Sequence, residues 1–232
     1  TSSISQDRSQ TWQPTERNNM PVISILNIKG GTGKSISTMW LATAATYSDQ
    51  VTVPVHVADG DVAQGTLSAW YEDAQAAHAE NPELPSPNFD LISGNYTQLL
   101  RGIKKVPKKD LVFVDGSPGD HSMVRELSAL SDLVIIPTKG TPGELEQVLT
   151  IAERLRADNI PYRIIFTMWK KSANVIQELR DVLDSLDEPY IWPPIADTAY
   201  LSRAYGTLPR NHFKDMEGYD SLLEKVLEQL NG

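Results

Sequence analysis

Beyond residue 20 the chain alternates between short apolar, largely β-branched runs and longer stretches whose apolar positions recur at helical spacing. The runs Val22–Ile28, Val51–Ala58, Leu111–Val114, Leu133–Pro137 and Tyr162–Met168 predict strands, and Phe89–Ile92 and Tyr190–Trp192 predict two shorter ones. Ser35–Tyr47, Thr66–Glu80, Tyr96–Ile103, Glu144–Ala157, Ala173–Leu186 and Leu222–Leu230 predict helices, and Asn81–Asn88 (NPELPSPN) a proline-rich loop. Strands of this buried type separated by helices predict a mainly parallel sheet covered on both faces, a Rossmann-like α/β fold. No repeat and no linker interrupts residues 21–232, which read as a single domain. Residues 1–20 are polar and aperiodic and are expected to be a flexible tail or a vector-derived leader. Met20-Pro21 is a candidate natural start, and Trp12 is the one residue able to dock the tail.

At 232 residues the chain can bury the core of one medium domain. A net charge of −9 and an isoelectric point near 4.9 exclude a protein that wraps nucleic acid with its whole surface, so any DNA contact must come from a local patch. The absence of cysteine excludes disulfides, thiol catalysis, zinc–thiolate sites and cysteine-ligated iron–sulfur clusters. No apolar run approaches the ~20 residues of a membrane span. The opening TSSISQDRSQ lacks the apolar stretch of a secretory signal, and a cytoplasmic location is expected.

The strongest chemical signal is Lys29-Gly30-Gly31-Thr32-Gly33-Lys34-Ser35, between a predicted strand and a predicted helix. Glycines let a backbone turn tightly and aim its N–H groups at phosphate oxygens; Lys34 would reach the β- and γ-phosphates and Ser35 would hold Mg²⁺. The helix that follows adds its positive end, so Gly30 through Ile36 are the candidate nucleotide-binding residues. Ile28 stands where the general phosphate-loop pattern has glycine. A glycine-rich connecting turn is the plain alternative. Asp59-Gly60-Asp61 closes the second predicted strand, at the edge where ligands bind in parallel sheets. One of these carboxylates would orient an attacking water and the other act through the Mg²⁺ shell, against the alternative of an Asp-Gly turn. Leu111–Asp115 is an apolar strand that delivers one aspartate to the same edge, the Walker B arrangement, and Gly116-Ser117-Pro118-Gly119 would let the chain swing near the γ-phosphate. An ordinary strand end reads the same way, and the pattern gains force from the loop before it.

KGGTGKS with its extra Lys29, the Asp59–Asp61 pair and VDGSPG together resemble the ParA/MinD superfamily of deviant Walker A ATPases. DGDVAQGTLSAW is similar to the family's D-x-D-P-Q-G…W segment, with one residue inserted and Val62-Ala63 in place of proline. VIIPTKGTPGELEQV and IIFTMWKK…PIADTAYLSRAYGTLP resemble the second half of small plasmid-partition proteins of the ParF kind, so the likeness runs from Met20 to about Phe213. It implies a P-loop fold and ATP and Mg²⁺ as ligands. It also implies an ATP-bound homodimer in which Lys29 reaches the partner's phosphates, with Lys34 and Asp61 as the other catalytic residues and Ser35, Asp59 and Asp115 around the metal. It further implies non-specific DNA binding, nucleoid association, and a ParB-like or ribbon-helix-helix partner that stimulates slow hydrolysis during plasmid partition or cargo positioning. Thr167 stands where relatives often carry asparagine near the base, and Asp197 where arginine often opens the segment before Tyr200.

Arg101, Lys104, Lys105, Lys108 and Lys109 form a basic cluster that, with Lys170, Lys171, Arg203 and Arg210, could meet DNA phosphates or simply be solvated. The terminal stretch SLLEKVLEQL carries Glu224, Glu228 and only Lys225, which predicts packing or a protein contact and not an anionic membrane. His56, His78, His121 and His212 lack metal-ligand spacing, and Trp40, Trp70, Trp169 and Trp192 read as core or pocket wall. The rival reading from another class is an ATP-controlled regulatory switch, acting in conjugation or cell positioning with little grip on DNA.

Overall fold

The computed structural model describes residues 21–61, 64–119, 121–169, 175–211 and 216–231. The tail at 1–20, Val62-Ala63, Asp120, Lys170, Lys171, the first residues of the helix predicted from Ala173, and His212 lie outside them. The elements run β1 (Val22–Ile25), α1 (Lys34–Tyr47), β2 (Val55–Asp59), α2 (Thr66–Glu80), β3 (Asp90–Ile92), α3 (Tyr96–Lys105), β4 (Leu111–Asp115) and α4 (His121–Ser128). Then follow β5 (Leu133–Thr138), α5 (Pro142–Ala157), β6 (Tyr162–Phe166), α6 (Val175–Ser185), β7 (Tyr190–Ile191), α7 (Ala199–Ser202) and α8 (Tyr219–Asn231).

The strands form one seven-stranded sheet in the order β3-β2-β4-β1-β5-β6-β7, every pairing parallel. Burial on both faces explains the continuous apolar runs of β1, β4 and β5. Ile23, Ile25, Leu111, Phe113 and Ile135 point into one core with α1, α2 and α8. Their neighbours Val22, Val112, Val114, Val134 and Ile136 point into a second core with α3, α4, α5 and α6.

Helix α1 is the axis of the first core. Met39 through Ala45 are buried, and Trp40 packs on Tyr219 of α8 with ring centroids 5.6 Å apart. The Tyr219 hydroxyl meets Ser37 Oγ at 3.0 Å. Leu222, Leu223, Val226 and Leu227 are buried in this core, so the apolar face of the terminal helix is already covered.

Most predicted elements are present with shifted ends. β1 stops at Ile25 and β6 at Phe166, because the residues beyond turn into loops, with Met168 at φ +52°. β2 begins only at Val55, after Pro54, which has no N–H to give a ladder. The sequence pattern predicts no element over 121–128 or 199–202, which form the short helices α4 and α7.

Candidate nucleotide site

The loop from Leu26 to Gly33 leaves β1 at the carboxyl edge of the sheet. There β1 lies between β4 and β5 and the chain crosses from one half of the sheet to the other. Its backbone is held from several sides. Buried Asn27 donates through Nδ2 to the Pro137 carbonyl of β5 at 2.8 Å and accepts the Lys29 amide at 2.9 Å. Thr167, just past β6, donates from Oγ1 to the Thr32 carbonyl at 2.8 Å. The Gly119 amide donates to the Ile28 carbonyl at 2.8 Å. Gly33 takes φ +85°, and a Cβ there would also stand 3.3 Å from Thr167 Oγ1, so only glycine suits the position. α1 then starts at Lys34, leaving the amides of Gly33, Lys34, Ser35 and Ile36 at a helix N-terminus, an arrangement that holds anions.

Lys34 is buried and curls back over the loop, donating from Nζ to the Lys29 carbonyl at 3.0 Å. Burial lowers its pKa, while the nearby carboxyls of Asp115 and Asp61 act in the opposite direction. Asp115 ends β4 at 0% exposure, and neither of its carboxylate oxygens has a hydrogen-bond partner. Burial pushes its pKa up to about 7; Ser35 and Lys34 favour the charged form, and the like charges of Asp59 and Asp61 disfavour it. A buried carboxyl with no well-formed hydrogen bond, beside a serine hydroxyl able to donate to it, fits a divalent cation that takes oxygen ligands.

Asp59 has a different task. Its Oδ1 accepts the Asp61 amide at 3.1 Å, and its Oδ2 accepts both the Ser68 amide at 2.9 Å and the Ser68 hydroxyl at 2.6 Å. It therefore satisfies an N–H in the first turn of α2 and fixes the backbone that carries Asp61. Three of the roughly four acceptor sites of its carboxylate are used in this way. Asp61 is buried and accepts from Ser117 Oγ at 3.3 Å, so it meets the segment after β4. Between the two aspartates, the Gly60 amide donates to the Asp115 carbonyl at 2.9 Å. A Cβ on Gly60 would stand 2.4 Å from that same oxygen.

Lys29 is half-exposed and engaged within its own subunit. Its Nζ pairs with Glu144 Oε1 at 3.1 Å; Lys29 is 41% exposed and Glu144 5%. Glu144 Oε2 also accepts the Lys139 amide at 2.8 Å. Sequence reasoning missed Glu144, Lys139, Asn27 and the clamping use of Thr167. One local signal did exist: Thr141-Pro142-Gly143-Glu144 has the Thr-x-x-Glu form of a helix capping box. Here the glutamate turns away from the cap toward the loop.

Beside the start of α1, Ile36, Thr167, Met168, Ile195, Ala196, Asp197, Leu201 and Tyr219 line a small cavity of about 60 Å³. The basic cluster that precedes β4 does not lie on this edge. Arg101, Lys104, Lys105, Lys108 and Lys109 are exposed on α3 and the turn that enters β4, at the amino edge of the strands, and Arg203 and Arg210 are exposed on a separate segment after β7. His56 is tied to Asp110 at 2.9 Å, Trp40 and Trp70 are buried, and among the described residues no three or more His, Cys, Asp or Glu side chains gather to hold a metal by themselves. No helix among the described residues is long and apolar enough to cross a membrane.

A glycine-rich loop that opens a helix at the carboxyl edge of a parallel sheet, with a buried aspartate on the next strand, defines the P-loop nucleotide-binding class. Residues 21–160 match the family described as ATPase MipZ, and the chain belongs to that family, within the ParA/MinD superfamily of ATPases. Over 148 residues it is 28% identical to the maintenance of carboxysome distribution protein A of Gloeobacter kilaueensis, a match that spans 63% of this chain and 62%, less than two thirds, of that protein. Two solved structures share the fold. One is a plasmid partition protein of Borrelia burgdorferi (20% identity, TM-score 0.66, 91% of this chain and 99% of that one). The other is a Cyanothece McdA variant in complex with ATP (15% identity, TM-score 0.69, 90% and 97%).

Proposed function

We propose that this chain binds Mg-ATP in the Lys29–Ser35 loop, hydrolyses it slowly, dimerises in the ATP state and uses that cycle to position a cargo. The observation that carries the reading is Asp115, wholly buried, unpartnered and next to Lys34 and Ser35. The family match and the likeness to a carboxysome-distribution protein support positioning as the purpose.

In this reading the amides of Gly30 through Ile36 and the Lys34 ammonium hold the phosphates. Ser35 and Asp115 would hold Mg²⁺, which when bound neutralises the β- and γ-phosphate oxygens. Asp61, kept in place by the Asp59–Ser68 contacts and Ser117, orients the attacking water. Lys29 leaves Glu144 and turns to the phosphates of a facing copy, supplying charge in trans as an arginine finger does. Sedimentation and ATP turnover test this together. Lys34→Ala should lose nucleotide affinity, and Lys29→Ala should keep monomeric binding while losing ATP-dependent dimerisation and most turnover. Parent-like dimers and turnover from Lys29→Ala, or equal ATP affinity in Lys34→Ala, overturn the reading.

The position of the basic cluster, at the opposite end of the strands from the loop, favours a second reading in which the ATP switch works without gripping DNA and a partner protein carries the signal. A gel shift with and without ATP separates the two. DNA binding that appears only with ATP and falls steeply with salt supports partition through DNA and a ParB-like or ribbon-helix-helix partner.

A further inference from the structure

We propose that Lys139 is an additional phosphate-holding residue of this site, which grips the terminal phosphate of the nucleoside triphosphate from the β5–α5 turn. The inference deepens the nucleotide reading above and rests on it.

The turn that carries Lys139 is rigid. The Lys139 amide is bound by Glu144 Oε2 at 2.8 Å, the Gly140 amide donates to Thr138 Oγ1 at 3.1 Å, and Gly140 sits at φ +73°. A Cβ on Gly140 would stand 2.6 Å from a Leu179 methyl, so the turn packs closely against α6. From this fixed base the exposed Lys139 side chain extends over the loop, its ammonium 3.9 Å from where a Cβ of Gly31 would stand. Glu144 takes the Lys29 ammonium on one oxygen and the Lys139 amide on the other, and does not pair with the Lys139 side chain. Lys139 Nζ has no acidic partner among the described residues.

Of the three lysines around the loop, Lys29 is paired with Glu144 and Lys34 lies near the carboxyls of Asp115 and Asp61, which leaves Lys139 as the ammonium without an acid beside it among the described residues. Lys34 and Lys139 bracket the loop, Lys34 buried on its inner side and Lys139 on the solvent side. An anion seated on the loop would meet both ammonium groups at once. The Ser35–Ile36 end of the loop leads to the small cavity beside Thr167, the direction in which the nucleoside would extend. Gly31 lies toward the other end, near Lys29 and toward Gly30, whose own Cβ position is 4.0 Å from Pro118 in the segment after β4. That end receives the last phosphate, and it is the end Lys139 overhangs.

The side chain of Lys139 supports nothing in the fold; the bond to Glu144 uses its backbone, which any residue except proline retains. Lys139→Ala should therefore melt with the parent. Titration calorimetry with Mg²⁺ and either AMPPNP or ADP reads the contact. Lys139→Ala is expected to weaken AMPPNP binding about tenfold, equivalent to about 1.4 kcal/mol, with ADP affinity unchanged and Lys139→Arg restoring most of the loss. Unchanged AMPPNP affinity, or an equal loss for AMPPNP and ADP, overturns the assignment to the terminal phosphate. A parent protein that binds neither nucleotide overturns the nucleotide reading itself, a different result from either.

Discussion

Strands β2 and β4 lie side by side, and each ends on an aspartate at the same register position, Asp59 opposite Asp115. Both are buried, at 2% and 0% exposure. Asp59 accepts hydrogen bonds on both oxygens and caps a helix; Asp115 accepts none, and its carboxyl is driven to about 7. The same residue in the same place thus builds the fold on one strand and strains it on the next. A buried polar group without a partner costs about 1–3 kcal/mol, and a protein that keeps one next to a phosphate-type loop keeps it for a ligand. Burial does not separate the two carboxylates; the hydrogen bonds made to them do.

That contrast can be broken by experiment. The largest effect should come from the residue Asp59 holds in place. Asp61→Ala should lower ATP turnover by about 10²–10⁴-fold, the usual contribution of a positioned acid–base group, while titration calorimetry shows ATP binding nearly intact. Normal turnover would move the water-orienting role elsewhere.

Asp115→Asn comes next, with effects of opposite sign in two assays. Its Mg²⁺-dependent ATP hydrolysis should be lost. Its stability in EDTA should exceed the parent's at neutral pH and above. The usual carboxyl value of 3.8 is raised to about 7 in the fold. Below about pH 4 both folded and unfolded chains are protonated and the group costs nothing. Between about pH 4 and 7 the unfolded chain releases the proton first, so the parent loses stability as pH rises, with a limiting slope of about 1.4 kcal/mol per pH step of one. Asp115→Asn should flatten that decline in chemical denaturation. A difference between the two proteins that does not vary with pH would mean that Asp115 finds a donor in solution.

Asp59→Ala should behave in the ordinary way, losing about 1–3 kcal/mol because buried donors are left unpaired, with the loss present in EDTA and Mg²⁺ alike. Smallest is Ser68→Ala, which removes the hydroxyl bond but keeps the amide bond, at a cost of about 1 kcal/mol by denaturant midpoint. If Asp59→Ala and Asp115→Asn shift stability in the same direction, the division of labour between the two strands is wrong.

How much of this can be read from the chain depends on how local each feature is. Lys29–Ser35 is legible because a phosphate loop is seven adjacent residues whose types follow from backbone geometry. Asp115 is legible as the polar end of the apolar run LVFV. The sheet follows from strand runs that show no alternation. Glu144 and Lys139 are not legible: they reach the loop only because β5 pairs with β1, a fact of strand order that no local pattern contains. The role of Asp59 depends on where α2 places Ser68, nine residues on, and both aspartates of DGD look alike until that helix is in place. Helix α4 escapes a sequence reading because it is short and follows Gly116–Gly119, a stretch that reads as loop.

Thr167 carries one consequence further. Its hydroxyl grips the Thr32 carbonyl of the loop, and the residue also lines the cavity beside Ile36. A ligand that fills both places is bound as by a chelator: each half, once seated, presents the other at high local concentration. The loop is held in the shape that phosphate needs by the wall against which the base would rest. On this view a bare triphosphate and a bare nucleoside should each bind far more weakly than their separate contacts suggest, and the covalent link between them is what the site measures.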